Sequence, residues 1–325
     1  MTTTVELTPD LYQVKIPVPL PLKFVNCYLV RGAAGWGLVD AGLRYPAAEQ
    51  AWEQAFAELD LAPSRISSIL LTHYHPDHYG MAGWMQQRTG APVWMTPTEI
   101  EAVNFVWGRP PDASSTAVRD FFRLYGMPDE IASDIFQQMV AIFAHTLPHP
   151  TITPMDMDAP FKLGDRTYEL YQRRGHTDGH VCLHDAEAGV FIAGDHVLPR
   201  ITPNISLWPN ANPDPLGDYM ASLRELRDLP VALTLPAHGT PFAAYRERVD
   251  EIYDHHVERL AHMEVLAADG LTAFEISDRV FPTGELTPHQ ARFAMAETLS
   301  HLARLEREGR IRREVHADRI IFTRT

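Results

Sequence analysis

The segment Ile69-Leu70-Leu71-Thr72-His73-Tyr74-His75-Pro76-Asp77-His78-Tyr79-Gly80 sets four side chains that bind metals, His73, His75, Asp77 and His78, within six residues. It follows a short β-rich run, Ile66 to Leu71, and precedes a stretch of helical character from Tyr79 to Gln87, so the cluster falls where a strand hands over to a helix. Pro76 keeps the middle of the segment out of a helix, and along an extended chain alternate side chains point the same way. His73 and His75 can then meet one ion, while Asp77 and His78 turn toward a second. A solvated polar loop is the plainer explanation of such a run, and the downstream sequence argues against it.

Three further fragments repeat the pattern of a metal-binding type placed just after a predicted strand: Gly175-His176-Thr177-Asp178-Gly179-His180, Gly194-Asp195-His196 and Pro236-Ala237-His238-Gly239. The strands are Arg166 to Arg173, Val190 to Ala193 and Leu233 to Leu235, which brings all the fragments to one edge of a core. Upstream, Leu11 to Val18, Val25 to Arg31 and Trp36 to Asp40 read as an antiparallel opening, and Ala47 to Leu59 repeats apolar residues at helical spacing. A strand Pro92 to Met95 follows, and Phe161 to Leu163 and Val181 to His184 complete the strand pattern. Helices are expected over Leu216 to Arg227 and Ala243 to Ala268.

Two segments depart from this rhythm. Residues 97–158 carry aromatic, helix-like stretches and no strong strand signal, which predicts a helical cap containing Phe105, Trp107, Phe121, Phe122, Tyr125, Phe136 and Phe143. Plain packing of an extra helical layer would account for most of those aromatics, but a cap over the metal edge predicts that Trp107 and Phe122 help set substrate size. After Gly270, helical patterns at Leu271 to Phe281 and Gln290 to Glu308 lead into two alternating strands, Arg312 to Val315 and Arg319 to Thr323, around His316-Ala317-Asp318. The expected organisation is a catalytic domain over residues 1–269 and a small winged-helix-like module over residues 270–325.

The chain of 325 residues is long enough for two domains with their own cores. Its net charge of −14 and its three lysines, Lys15, Lys23 and Lys162, argue against general nucleic-acid affinity, which needs cations along the phosphates. Arginines of the C-terminal module are offset by acids, so specific DNA binding is not expected there; packing against the catalytic domain or a second subunit, as in a homodimer, is. Cys27 and Cys182 sit in apolar runs and read as inert buried thiols. With no basic leader or apolar signal at the N-terminus and no spanning-length apolar run, a cytoplasmic location is expected.

Taken in order with Val39-Asp40-Ala41-Gly42 upstream, these motifs, five in all, are similar to those of the metallo-β-lactamase superfamily over about residues 10 to 265. The resemblance implies an α/β fold, a four-layer αβ/βα sandwich with its metals at one edge. It assigns His73, His75 and His176 to one ion, Asp77, His78 and His238 to another, and Asp195 to a bridge between them. Asp40, in Val39-Asp40-Ala41-Gly42, falls where the family keeps an aspartate behind a ligand histidine, although a turn aspartate before glycine would look the same. His180 and His196 neighbour ligands and read as supporting residues. His145, His149, His255, His256, His262, His289, His301 and His316 lack the motif context and read as surface or packed histidines. Asp178 stands where the family commonly has proline.

The cofactor expected is two Zn²⁺, with Mn²⁺ or Fe²⁺ also able to satisfy such a set. Two ions about 3.5–4 Å apart lower the pKa of a shared water toward about 7. The expected reaction is attack of that hydroxide on the carbonyl of an ester, thioester or lactone, with Asp77 or Asp195 moving the proton. Two rivals stand. The stretch Gly194-Asp195-His196-Val197-Leu198-Pro199-Arg200-Ile201-Thr202-Pro203, the long Arg246 to Arg259 helix and the C-terminal module together resemble the lactamase-like family that includes mitochondrial single-strand RNA endonucleases, which implies phosphodiester cleavage. Relatives that are mononuclear iron dioxygenases share the histidine-rich loop.

Overall fold

The structure, a computed structural model, describes residues 2–19, 22–209, 211–281, 286–316 and 319–325. Seven strands form the first sheet in chain order: β1 (Thr4–Thr8), β2 (Leu11–Pro17), β3 (Phe24–Val30), β4 (Trp36–Val39), β5 (Ile66–Leu70), β6 (Val93–Met95) and β7 (Ile152–Pro154). Short turns join β1 to β4, which therefore pair antiparallel; the remaining pairs are parallel. Parallel neighbours need a crossover. Helix α1 (Pro46–Glu58) supplies one, α2 (Pro76–Tyr79) with α3 (Ala82–Thr89) the next, and α4 (Pro97–Val106), α5 (Pro111–Leu124) and α6 (Asp129–Ile142) the last.

The second sheet has the order β12-β11-β10-β9-β8, built from β8 (Phe161–Leu163), β9 (Arg166–Arg173), β10 (His180–Asp185), β11 (Val190–Gly194) and β12 (Leu233–Pro236). Only β11 and β12 pair in parallel, joined through α7 (Pro215–Leu226). Tyr28, Val39 and Leu70 of the first sheet and Tyr168, Leu183 and Ile192 of the second share one buried cluster, the layer between the sheets. Trp52 and Phe56 of α1 and Met85 of α3 pack in another cluster with the first sheet, and α7 packs in a third with β10 and β11. Helix on sheet on sheet on helix is the αβ/βα sandwich.

Helix α8 (Tyr245–Ala267) runs on to β13 (Leu271–Thr272), α9 (Ala273–Val280), α10 (Pro288–Arg307), β14 (Ile311–His316) and β15 (Arg319–Arg324). Capping boxes at Thr272 with Glu275 and at Thr287 with Gln290 start α9 and α10. These three strands form a sheet of order β13-β15-β14. Of the expected turn around His316-Ala317-Asp318, residues 317 and 318 lie outside the described residues. Helix α10 is buried along most of its length and shares a core with α7, α8 and Phe122 of α5.

Two sequence expectations need correction, and one strand lies outside them. The helical insertion does not run to residue 158, because Ile152–Pro154 is a strand that extends the first sheet beside β6; three residues are too few for a periodic signal. The expected helix from Tyr79 is two pieces: Pro76 starts a short helical turn, since a proline at the first helical position loses no needed N–H, and α3 begins at Ala82. Strand β1 went unread. Cys27 and Cys182 are buried and unpaired, as read.

Candidate metal centre

In α/β sheets the loops leaving the carboxyl ends of parallel strands gather at one edge. Strand β4 delivers Asp40 there and β5 delivers Thr72 to His78, while β9, β11 and β12 share one direction in the second sheet and deliver His176, Asp195 and His238.

The side chains converge in two groups. His73, His75, His176 and Asp195 form the first and Asp77, His78 and His238 the second, the ligand atoms within each lying no more than 4.8 Å apart. His73 Nε2 is 3.0 Å from His75 Nδ1, and His238 Nε2 is 3.3 Å from Asp77 Oδ2. Asp195 stands between the groups: its Oδ2 is 3.4 Å from His176 Nε2 and 3.6 Å from His78 Nε2, and its Oδ1 is 3.5 Å from His238 Nε2. Donors on one tetrahedral ion with bonds of about 2.0–2.1 Å sit roughly 3.3 Å from each other. The observed spacings are of that size.

Four buried atoms at the focus have no hydrogen-bond partner: Nε2 of His78, His176 and His238, and Oδ1 of Asp195. Buried polar atoms are seldom left so. The far ring nitrogens explain the direction of the lone pairs. His78 Nδ1 donates to Asp40 Oδ2 at 2.8 Å, His176 Nδ1 to the Asn204 carbonyl at 2.9 Å and His238 Nδ1 to the Phe24 carbonyl at 2.9 Å. Each Nε2 then carries a lone pair toward the others, a donor set that a divalent cation fits.

In the metal-free chain His73 and His75 are held neutral and ready to bind, whereas the carboxylates favour a proton on His78 that a bound cation would displace. Burial and the neighbouring imidazoles push His73 and His75 well below the ordinary histidine range. Burial also opposes charge on His78, but Asp40, Asp195 and Asp77 outweigh it and hold its pKa well above the usual value. Against the cost of burial, His238 and His78 keep Asp195 well below the usual carboxylate range. Asp40 has φ of 59°, a left-handed conformation that aspartate tolerates better than most residues. It accepts the Thr72 N–H at 2.8 Å and the Thr72 hydroxyl at 2.9 Å, and that hydroxyl accepts from His73 Nδ1 at 3.0 Å.

His180 and His196 join neither group. His180 Nε2 accepts the Asp195 N–H at 3.1 Å and lies over Gly194, where φ is 53° and a Cβ would come within 2.6 Å of that nitrogen. His196 pairs with the Ser222 hydroxyl at 2.9 Å, and its carbonyl accepts from Tyr219. His256 and His301, expected to be surface or packed histidines, are buried and joined at 3.2 Å between α8 and α10.

Sequence reasoning missed Glu99 and Asn204. Thr96-Pro97-Thr98-Glu99 fits an ordinary helix start, and the Thr96 hydroxyl does accept the Glu99 N–H. Yet the Glu99 carboxylate reaches across to the Tyr74 N–H at 2.7 Å, the Thr177 hydroxyl at 2.5 Å and the Gly179 N–H at 2.9 Å, tying the first histidine loop to the His176 loop. Burial lifts its pKa to about 7. Asn204 acts on His176 through a backbone carbonyl, which leaves no mark in a sequence.

A cavity of about 750 Å³ opens over the site. His75, Asp77, His176, Asp195 and His238 line it; the segment from α4 to just past α6 contributes Phe105, Trp107, Val118, Met139 and Phe143, and α10 contributes His289, Arg292 and Phe293. Phe122 is absent from it, being fully buried in the core shared with α7 and α10.

Comparison with known proteins agrees with this geometry. A model described as the metallo-beta-lactamase superfamily matches residues 20–238, and one described as a metallo-beta-lactamase-like C-terminal domain matches residues 260–325. A metallo-beta-lactamase family protein from Thermus thermophilus superposes with TM-score 0.88 at 33% identity, over 98% of this chain and 100% of that one. A beta-lactamase domain protein from Burkholderia ambifaria gives TM-score 0.88 at 30% identity, over 99% and 94%. The probable metallo-hydrolase YqjP of Bacillus subtilis is 25% identical over 320 residues, 94% of each chain. An atrochrysone carboxyl ACP thioesterase of Aspergillus fumigatus is 25% identical over 240 residues, 73% of this chain and 58% of that protein. Matched by the superfamily model over more than half its length and by solved members nearly end to end, this hydrolase chain belongs to the metallo-beta-lactamase superfamily.

Proposed function

We propose that the chain is a dinuclear metal-dependent hydrolase of a carbonyl substrate, an ester, thioester or lactone. The observation that carries this reading is the single aspartate, Asp195, set between two complete groups of ligand atoms whose unpaired nitrogens face it. His73, His75 and His176 would hold one ion, Asp77, His78 and His238 the other, and Asp195 both. The nitrogen-rich set suits zinc, with manganese or iron(II) as alternatives. When bound, the pair supplies a water of lowered pKa and a Lewis acid for the carbonyl oxygen.

The chain's own residues do the rest. Asp40, Asn204 and Phe24 fix the ring orientation of three ligands before substrate arrives. Asp77, engaged through Oδ2 with His238, leaves Oδ1 to take a proton. Apolar side chains of α4 to α6 exclude water from the cavity and suit an apolar acyl body. The thioesterase name of one distant relative lends weight to a thioester.

The rival readings find less support. A mononuclear dioxygenase needs only one of the two ligand groups. A nuclease needs a cationic track for phosphates, and the net charge is −14. The C-terminal module reads as a winged-helix-like unit whose second helix, α10, is buried against the catalytic domain and so is not free to enter a groove in DNA. The deciding experiment is a panel of lactones, thioesters, phosphodiesters and short RNA, run with and without chelator beside metal analysis of the purified protein. Chelator-sensitive turnover of a lactone or thioester supports the proposal; turnover of RNA alone overturns it.

A further inference from the structure

Arg292 is the arginine that lines the cavity among the described residues, and it differs from the acid-paired arginines around it. Arg259 lies 3.9 Å from Glu297, Arg304 2.9 Å from Asp214, and Arg248 2.9 Å from Glu251. Among the described residues no carboxylate lies within ion-pair distance of Arg292, and its buried Nε has no hydrogen-bond partner. Two aromatic rings hold the guanidinium instead, with its carbon 4.7 Å from the centre of Phe293 and 5.8 Å from that of Trp208. It lines the cavity that contains the metal ligands. Burial brings its pKa down to about 10, so it remains a cation at neutral pH, and its charge helps burial depress neighbouring His289 to about 4.

An unpaired, partly desolvated guanidinium is costly, and neutral packing would be met more cheaply by methionine or leucine. Its planar fork matches an oxyanion, and aromatic faces keep that fork in place. In a chain with three lysines and a net charge of −14 it is a scarce resource. We propose that Arg292, delivered by the C-terminal module, anchors an anionic group of the substrate at a distance from the scissile carbonyl. The substrate is then an ester or thioester whose acyl or leaving part ends in a carboxylate or phosphate, with an apolar body spanning the cavity between Arg292 and the metal ligands. This rests on the carbonyl-hydrolase reading above for the reaction, though not for the anion site itself.

Two matched substrate pairs locate the anion. S-glutaryl-N-acetylcysteamine against its methyl ester tests a carboxylate on the acyl side; S-butyryl-phosphopantetheine against S-butyryl-pantetheine tests a phosphate on the leaving side. In one pair the anionic member should be preferred by about 10- to 100-fold in kcat/KM, the range for a hydrogen bond to a charged group. That preference should collapse in R292Q and R292M and survive in part in R292K. Calorimetric titration with glutarate and with phosphopantetheine gives a readout independent of turnover: one of them should bind the wild type and not R292Q of equal metal content. If neither thioester is hydrolysed but this binding difference holds, the reaction assignment fails and the anion site stands. Equal binding to wild type and R292Q, or no binding to either, overturns the site, as does an unchanged preference in all variants.

Discussion

The carbonyl of Asn204 accepts the Nδ1 proton of His176 at 2.9 Å, and the side chain of the same asparagine is held by the C-terminal module. Its Nδ2 donates to Glu297 Oε2 at 3.0 Å and to the Phe293 carbonyl at 3.2 Å, both on α10. The C-terminal module is thereby coupled to the orientation of a proposed ligand. Replacing Asn204 with alanine keeps the carbonyl but frees its loop from α10. We expect metal affinity to fall by about tenfold or more, the scale for partners that orient ligands, while the fold is retained. Competition with a calibrated chelator measures this, and an unchanged affinity would show that other contacts hold the loop.

Asp40→Asn should act on the other group. The amide cannot serve both as acceptor for His78 Nδ1 and as acceptor for the Thr72 N–H and hydroxyl with the same geometry. The expected result is loss of one of two bound ions, or a 10- to 100-fold weaker one (an approximate range), read by metal stoichiometry after dialysis.

Asp195→Asn tests the two-ion proposal most directly. Removing the charge between the groups should separate or eject one metal and abolish hydrolysis. A variant that turns over at the wild-type rate would sink the dinuclear mechanism.

Trp107 and Phe122, expected as a pair to set substrate size, should now behave differently. Phe122 is buried against Trp208 and the α7 to α10 core, so Phe122→Ala should cost about 3–5 kcal/mol of stability with little selective effect on substrates. Val118→Ala, which enlarges the cavity, should instead shift rates toward bulkier acyl groups. Trp107 does both jobs, lining the cavity and donating its indole N–H to the Tyr74 carbonyl at 2.9 Å. Melting curves beside relative kcat/KM values separate the three cases.

Glu297 gives a pH signature. Burial raises it from 4.5 to about 7 against the opposing pull of Arg259 and the Asn204 amide. A carboxyl whose folded pKa is raised contributes stability that is full below about 4.5 and is lost as pH climbs through about 7. Glu297→Gln should therefore match the wild type near pH 4.5 and exceed it at pH 8, by at most about 3 kcal/mol. A stability difference that does not change between those pH values would contradict this.

The local sequence carried most of the strands and the site's inventory. A period-two run such as Arg166 to Arg173 specifies a strand because alternate side chains must face the layer between the sheets. Side chains able to bind a metal are of a few types, so the proposed ligands His73, His75, Asp77, His78, His176, Asp195 and His238 stand out wherever they lie. What the chain order could not show is which distant groups would be desolvated together. Strand β7 is specified by its neighbour β6 rather than by its own three residues.

Glu99 looks like a helix-capping residue until the fold brings Tyr74, Thr177 and Gly179 around it. Arg292 looks like one charge on an amphipathic helix until α10 is packed with its guanidinium in the cavity and, among the described residues, no carboxylate within ion-pair distance. Ligand identity is a property of side-chain chemistry and is written residue by residue. Burial, pKa and the presence or lack of a partner are properties of surroundings, and for this protein only the tertiary packing decided them, of the two histidine loops around Glu99 and of α10 onto the catalytic domain.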